Sequence, residues 1–74
     1  MKLYEQLKLI NKRTNVIIEC RYKNKAEEWI ETLHDGELRD MNFEKFFDAM
    51  YYEVSKIYLK FGCIYIECHP KYKD

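Results

Sequence analysis

The chain has 74 residues, 47% of them hydrophobic and 35% charged, and its thirteen basic and thirteen acidic side chains cancel to zero. That length makes one domain, 1–74, with a core near the lower limit of self-sufficiency, and the composition is globular rather than disordered. The longest uncharged stretch, Phe61–Ile66, falls far short of the roughly 20 residues that span a membrane. The first residues hold no apolar run ending in a small-residue cleavage site, so a cytoplasmic protein without a membrane partner is expected.

In chain order, Leu3, Leu7 and Ile10 recur at helical spacing, so residues 2–12 read as an amphipathic helix. Leu3, Leu7 and Leu9 also fit a period of two, which leaves a strand as the alternative. Val16, Ile18, Cys20 and Tyr22 alternate with Ile17, Glu19 and Arg21, and predict a strand over Val16–Tyr22. Asn24 followed by Glu27 has the form of a capping box. It opens a helix with Ala26, Trp29, Ile30 and Leu33 on one face, stopped by Gly36.

Asn42 caps a further helix, in which Phe43, Phe46, Phe47, Met50, Val54, Ile57, Tyr58 and Phe61 form one stripe. Gly62 ends it. Cys63–Cys68 reads as a second strand, and Pro70 closes it before a short basic tail, 70–74. The predicted fold class is therefore α+β, in the order α-β-α-α-β, with the helices packed on one face of a small sheet. The two strands echo each other: Ile18-Glu19-Cys20 has Lys23 three positions on, and Ile66-Glu67-Cys68 has Lys71. If they are neighbours in the sheet, Cys20 and Cys68 lie close together.

The zero net charge hides a sorted distribution. Residues 27–53 carry nine acids against two bases, residues 1–26 seven bases against two acids, and residues 54–74 four bases against two acids. An acidic middle between basic ends speaks to partners. Like charges at a spacing of four, such as Glu27/Glu31 and Glu44/Asp48, cost a helix a few tenths of a kcal/mol each. Glu27, Glu28, Glu31, Glu44 and Asp48 are accordingly candidates for an anionic surface that docks a basic site on a partner protein. Tyr52 and Leu59, opposite the apolar stripe, are candidates for apolar contact.

The competing use is weak nucleic-acid binding by Lys12, Arg13, Arg21, Lys23, Lys25, Lys71 and Lys73, interleaved with Tyr22 and Tyr72 for base stacking. The acidic middle would oppose a polyanion. A third use needs no outside partner: the acidic middle of one chain meets the basic ends of another in a homodimer.

Chemistry-bearing sets are sparse. Cys20, Cys63, Cys68 and His69 lack the paired-knuckle spacing of zinc sites, so no metal and no cofactor are expected, and three cysteines in such a chain read as free thiols. His34-Asp35 stands beside no Ser or Cys nucleophile, and two distant glycines build no phosphate loop. The expectation is a non-enzymatic interaction protein acting as a small inhibitor or regulator. The Lys-, Asn-, Ile- and Tyr-rich makeup is of the kind AT-rich bacterial or phage genomes encode, which would place it in a host cytoplasm.

Overall fold

The residues expected to open helices build turns instead. In a computed structural model, which describes residues 1–71, the Asn24 side-chain oxygen accepts hydrogen bonds from the amides of Ala26 (2.8 Å) and Glu27 (2.9 Å), as a helix cap would. The Asn24 amide, however, donates to the Glu27 carbonyl at 2.9 Å, which turns the chain back on itself. The result is a β-hairpin joining β1 (Asn15–Lys23) to β2 (Glu28–Glu37). Asn42 repeats the pattern. Its side chain accepts from the Lys45 amide at 3.0 Å, but the chain then continues through turns into a short 3-10 segment, Asp48–Tyr51. It enters β3 (Glu53–Lys60) directly afterwards, and β4 (Cys63–His69) comes after a two-residue loop.

The protein is thus a small α+β domain with one short helix, α1 (Leu3–Leu7), and a four-stranded mixed sheet in the order β2-β1-β4-β3. This overturns the expected helices over 24–35 and 42–61 and the order α-β-α-α-β. The physical reason is side-chain type. Trp29, Ile30 and Thr32, and then Val54, Ile57 and Tyr58, favour extended backbone. Spacings of three and four among so many aromatics arise without a helix. Helix over 2–12 shrinks to five residues, and the chain from Lys8 to Thr14 runs in turns and bends.

β1 pairs with β2 antiparallel and with β4 parallel, and β3 and β4 form an antiparallel hairpin. The parallel register sets Ile18 against Ile66, Glu19 against Glu67 and Cys20 against Cys68, so the echoed tripeptides lie side by side in the two central strands. Their alternate residues enter the core: Val16, Ile18, Cys20, Ile66 and Cys68 are all at most 1% exposed. A bulge gives β2 one extra residue between the pairs Ile18–His34 and Glu19–Thr32, and Leu33 is buried there. α1 supplies Leu3 and Leu7 to this face. The crossover between β2 and β3 supplies Leu38, Met41, Ala49 and Met50, so one short helix and an irregular segment do the covering expected of three helices.

No described helix or crossover residue covers the other face. Register places Ile17, Glu19 and Arg21 of β1 there with Ile30 of β2, Tyr58 of β3, and Tyr65 and Glu67 of β4. Tyr58 and Tyr65 stack at 5.2 Å with an angle of 10° between the rings. Among the described residues, no helix is long and apolar enough to cross a membrane.

Candidate functional site

Among the described residues the sheet ends in two edge strands, β2 and β3, and the outer part of β3 carries the more exposed apolar side chains. Phe61 and Gly62 form the hairpin loop with φ of 52° and 75°, the left-handed geometry of a type I′ turn. Such a loop closes on a hydrogen-bonded pair, here Lys60–Cys63. Alternation along an antiparallel ladder then turns the main-chain groups of Lys56 and Tyr58 toward β4 and those of Ile57 and Leu59 outward.

The start of this edge is already taken. Met1–Lys2 lies against it as an isolated bridge, Lys2 to Glu53, with the Val54 amide donating to the Met1 carbonyl at 2.9 Å. The Lys2 ammonium donates to Glu53 Oε1 at 2.6 Å and the Met1 amino group approaches Oε2 at 3.3 Å. These contacts hold the Glu53 carboxyl below the usual carboxylate range. Beyond Val54, no described residue pairs with the outer edge. Three apolar side chains there are exposed, Ile57 by 44%, Leu59 by 77% and Phe61 by 89%, and they alternate with Lys56, Tyr58 and Lys60.

The acids expected to form one helical patch are spread over three elements. Glu27 ends the hairpin turn. Glu28 and Glu31 lie on β2, where register puts Glu28 on the face away from the core and Glu31 on the opposite one. Glu44 and Asp48 belong to the crossover. What the structure does gather is a charged edge, since β2 carries Glu28, Glu31, Asp35 and Glu37 with no Lys or Arg. Tyr52 and Leu59 are not one contact spot. Tyr52 is half-buried, meeting the Tyr22 ring edge-on at 6.3 Å, and its carbonyl accepts from the Leu3 amide at 2.9 Å. Leu59 alone keeps the exposure expected of it.

The basic residues divide as well. Lys12 and Arg13 precede β1. Arg21, Lys23, Lys25 and Lys71 gather at its far end, where β4 runs alongside. Nine residues at about 3.3 Å each separate the two groups by roughly 30 Å. Lys73 lies outside the described residues. Arg21 donates to Glu67 Oε1 from Nε (3.0 Å) and from a terminal nitrogen (2.9 Å). This pairing raises the pKa of the guanidinium and holds the Glu67 carboxyl below its ordinary range. Glu19 and Glu67 sit mid-face, so this surface offers a polyanion little net attraction.

Among the described residues, no three His, Cys, Asp or Glu side chains gather to hold an ion. Cys63 and Cys68 lie on opposite faces of β4 by register, and His34 and Asp35 on opposite faces of β2. A His34 ring nitrogen lies 2.7 Å from the Glu37 carbonyl, a local contact that fixes the bulged end of the strand. Hydrogen bonding with Cys20 and burial push the Cys68 thiol up, which makes it a poor nucleophile.

The sequence signal for the β3 edge was the run Ile57-Tyr58-Leu59-Lys60-Phe61-Gly62, whose apolar residues alternate around a turn-forming glycine. Comparison of the chain with protein-family models, with curated proteins and with solved structures found no match.

Proposed function

We propose that this is a non-enzymatic interaction module that captures an extended segment of a partner protein by strand addition to the outer edge of β3. The observation that carries this reading is that the edge already accepts such a segment at one end: Met1–Lys2 pairs with Glu53 and Val54. The groups beyond it, on Ile57 and Leu59, have no strand partner among the described residues. A segment laid there gains main-chain hydrogen bonds along the edge and specificity from side chains at every second position. Ile57, Leu59 and Phe61 ask for apolar partners on one face. Lys60 asks for an acidic partner on the other, because it stands opposite Cys63 and the only acid on β3, Glu53, is engaged by Lys2, whereas Lys56 already faces Glu67 of β4.

Phe61 adds support. An aromatic residue in left-handed backbone, at a turn where Asn is favoured, costs of order 1 kcal/mol, and its ring is almost wholly exposed. A side chain kept there against both turn preference and burial is well placed to contact a partner. Natural edges left long and apolar are aggregation sites, which is a further reason for this one to have an occupant. Capture of this kind suits a small inhibitor or regulator that withholds a segment its owner uses elsewhere.

The test is selection of random peptides on the immobilised protein, then affinity measurement against Leu59→Lys and Phe61→Asn. Peptides alternating apolar and acidic residues are expected, with affinity falling about tenfold or more in each variant. Peptides that bind both variants as well as the parent would overturn the proposal. So would a dimer, seen by sedimentation, that Leu59→Lys dissociates, since the occupant of the edge would then be a second copy.

A second reading keeps the acids. The charged edge of β2 would dock a basic surface, and the double reversal Glu28→Lys with Glu31→Lys should abolish that contact while leaving capture at β3 unchanged.

A further inference from the structure

We infer that the protein carries a second site, independent of β3, for a single-chain anionic amphiphile such as a long-chain carboxylate. Between α1 and the crossover lies a groove of about 520 Å³, within the range of roughly 300–1,000 Å³ typical of small-molecule sites. Its walls are apolar: Leu7 and Ile10 from the helix and its exit, Leu38, Phe43 and Met50 from the crossover, and the ring of Tyr4. Lys8, Lys12 and Arg39 complete the lining, and no carboxylate is among the lining residues.

The fold brings these cations together from distant parts of the chain. The Arg39 amide donates to the Lys12 carbonyl at 2.8 Å and the Leu38 amide to the Thr14 carbonyl at 2.9 Å, so the loop before β1 and the start of the crossover are tied side by side. Lys8 reaches over the Tyr4 ring, with Nζ 5.3 Å from its centroid. Arg39 Nε donates to Glu37 Oε2 at 2.6 Å, which orients the guanidinium and offsets part of its charge. Lys8 and Lys12 make no such pair with a carboxylate among the described residues.

An apolar trough bordered by three cations selects for a tail with an anionic head. A neutral head leaves Lys8 and Lys12 without an anionic partner, and a cationic head is repelled. Lys and Arg stems also cover apolar surface while their charged ends stay in water, so the head can be met at the rim without burying charge.

The test is calorimetric titration of the full chain with dodecanoate below its micellar concentration, beside dodecanol and dodecyltrimethylammonium. Amide chemical shifts would locate the site. One saturable site is expected for dodecanoate, with shifts at Leu7, Ile10 and Leu38, and binding of the cationic amphiphile should be at least roughly tenfold weaker. The double variant Lys8→Gln with Lys12→Gln should weaken dodecanoate about tenfold and leave dodecanol unchanged. Phe43→Ala, at a half-exposed position, should weaken both. Equal affinity for the cationic amphiphile, indifference to the lysine variants, shifts centred on β3, or binding only to vesicles would overturn the site. Because none of these ligands calls on strand addition, a failure here leaves the β3 reading standing, and the reverse also holds.

Discussion

At Phe61 the backbone adopts φ of 52° with a bulky side chain, although the hairpin loop needs positive φ at both of its residues. Gly62 meets that need without cost, whereas Phe61 meets it under strain. Phe61→Asn should therefore raise stability by about 0.5–1 kcal/mol, read as a higher denaturation midpoint, while weakening capture at β3. Stability and binding moving in opposite directions would separate a residue kept for contact from one kept for folding. The thiols offer a second check at this scale. Cys20 and Cys68 are fully buried in the central strands and Cys63 is half-buried beside the loop. Under native conditions a thiol reagent should modify Cys63 well before the other two, with all three reacting once the chain unfolds. Equal reactivity of all three in the folded protein would contradict the burial of the β1–β4 pair.

At the scale of elements, the ion pair between Arg21 on β1 and Glu67 on β4 ties the two parallel strands across the face away from the core, and Ser55 Oγ of β3 donates to Glu67 Oε2 at 3.3 Å. Hydrogen bonds from Arg21, more than any other contact, hold the Glu67 carboxyl below its ordinary value near 4.5. A depressed carboxyl stabilises the fold above its unfolded-state value and loses that contribution as pH falls through the folded-state value. The wild-type midpoint should thus drop on acidification below about pH 4.5, and Glu67→Gln should remove part of that drop. An unchanged acid slope in Glu67→Gln would mean the pairing contributes nothing.

Both strands of this parallel pair were legible in the sequence, because Val16, Ile18 and Cys20, and likewise Ile64, Ile66 and Cys68, keep strict alternation. β2 and β3 were not. The bulge at Leu33 and a second irregularity between Val54 and Lys56 break their period of two. Asn24 and Asn42 make the hydrogen bonds of helix caps while serving turns, so the local signal was right about the bond and wrong about the element it opens. Leu59 was legible as an exposed apolar residue. That it lies on an open edge was not, since edge position depends on pairing between residues far apart in sequence.

Across the whole molecule, charge and exposure are arranged by edge. The sheet ends on one side in β2, whose four acids discourage further pairing, and on the other in β3, where exposed Ile57 and Leu59 alternate with lysines and the only acid, Glu53, is paired. The acidic middle of the sequence is thus read as one defended edge plus a crossover, while the opposite edge remains available beyond Val54. The measurement that bears most directly on this asymmetry is residue-resolved amide hydrogen exchange along β3, alone and with a peptide selected on the protein. The amides of Ile57 and Leu59 should exchange rapidly in the isolated chain while those of Tyr58 and Lys60 are protected, and Ile57 and Leu59 should gain protection when the peptide binds. Protection of all four in the isolated chain, or rapid exchange of Ile57 and Leu59 at saturating peptide, would contradict an open edge that works by strand addition.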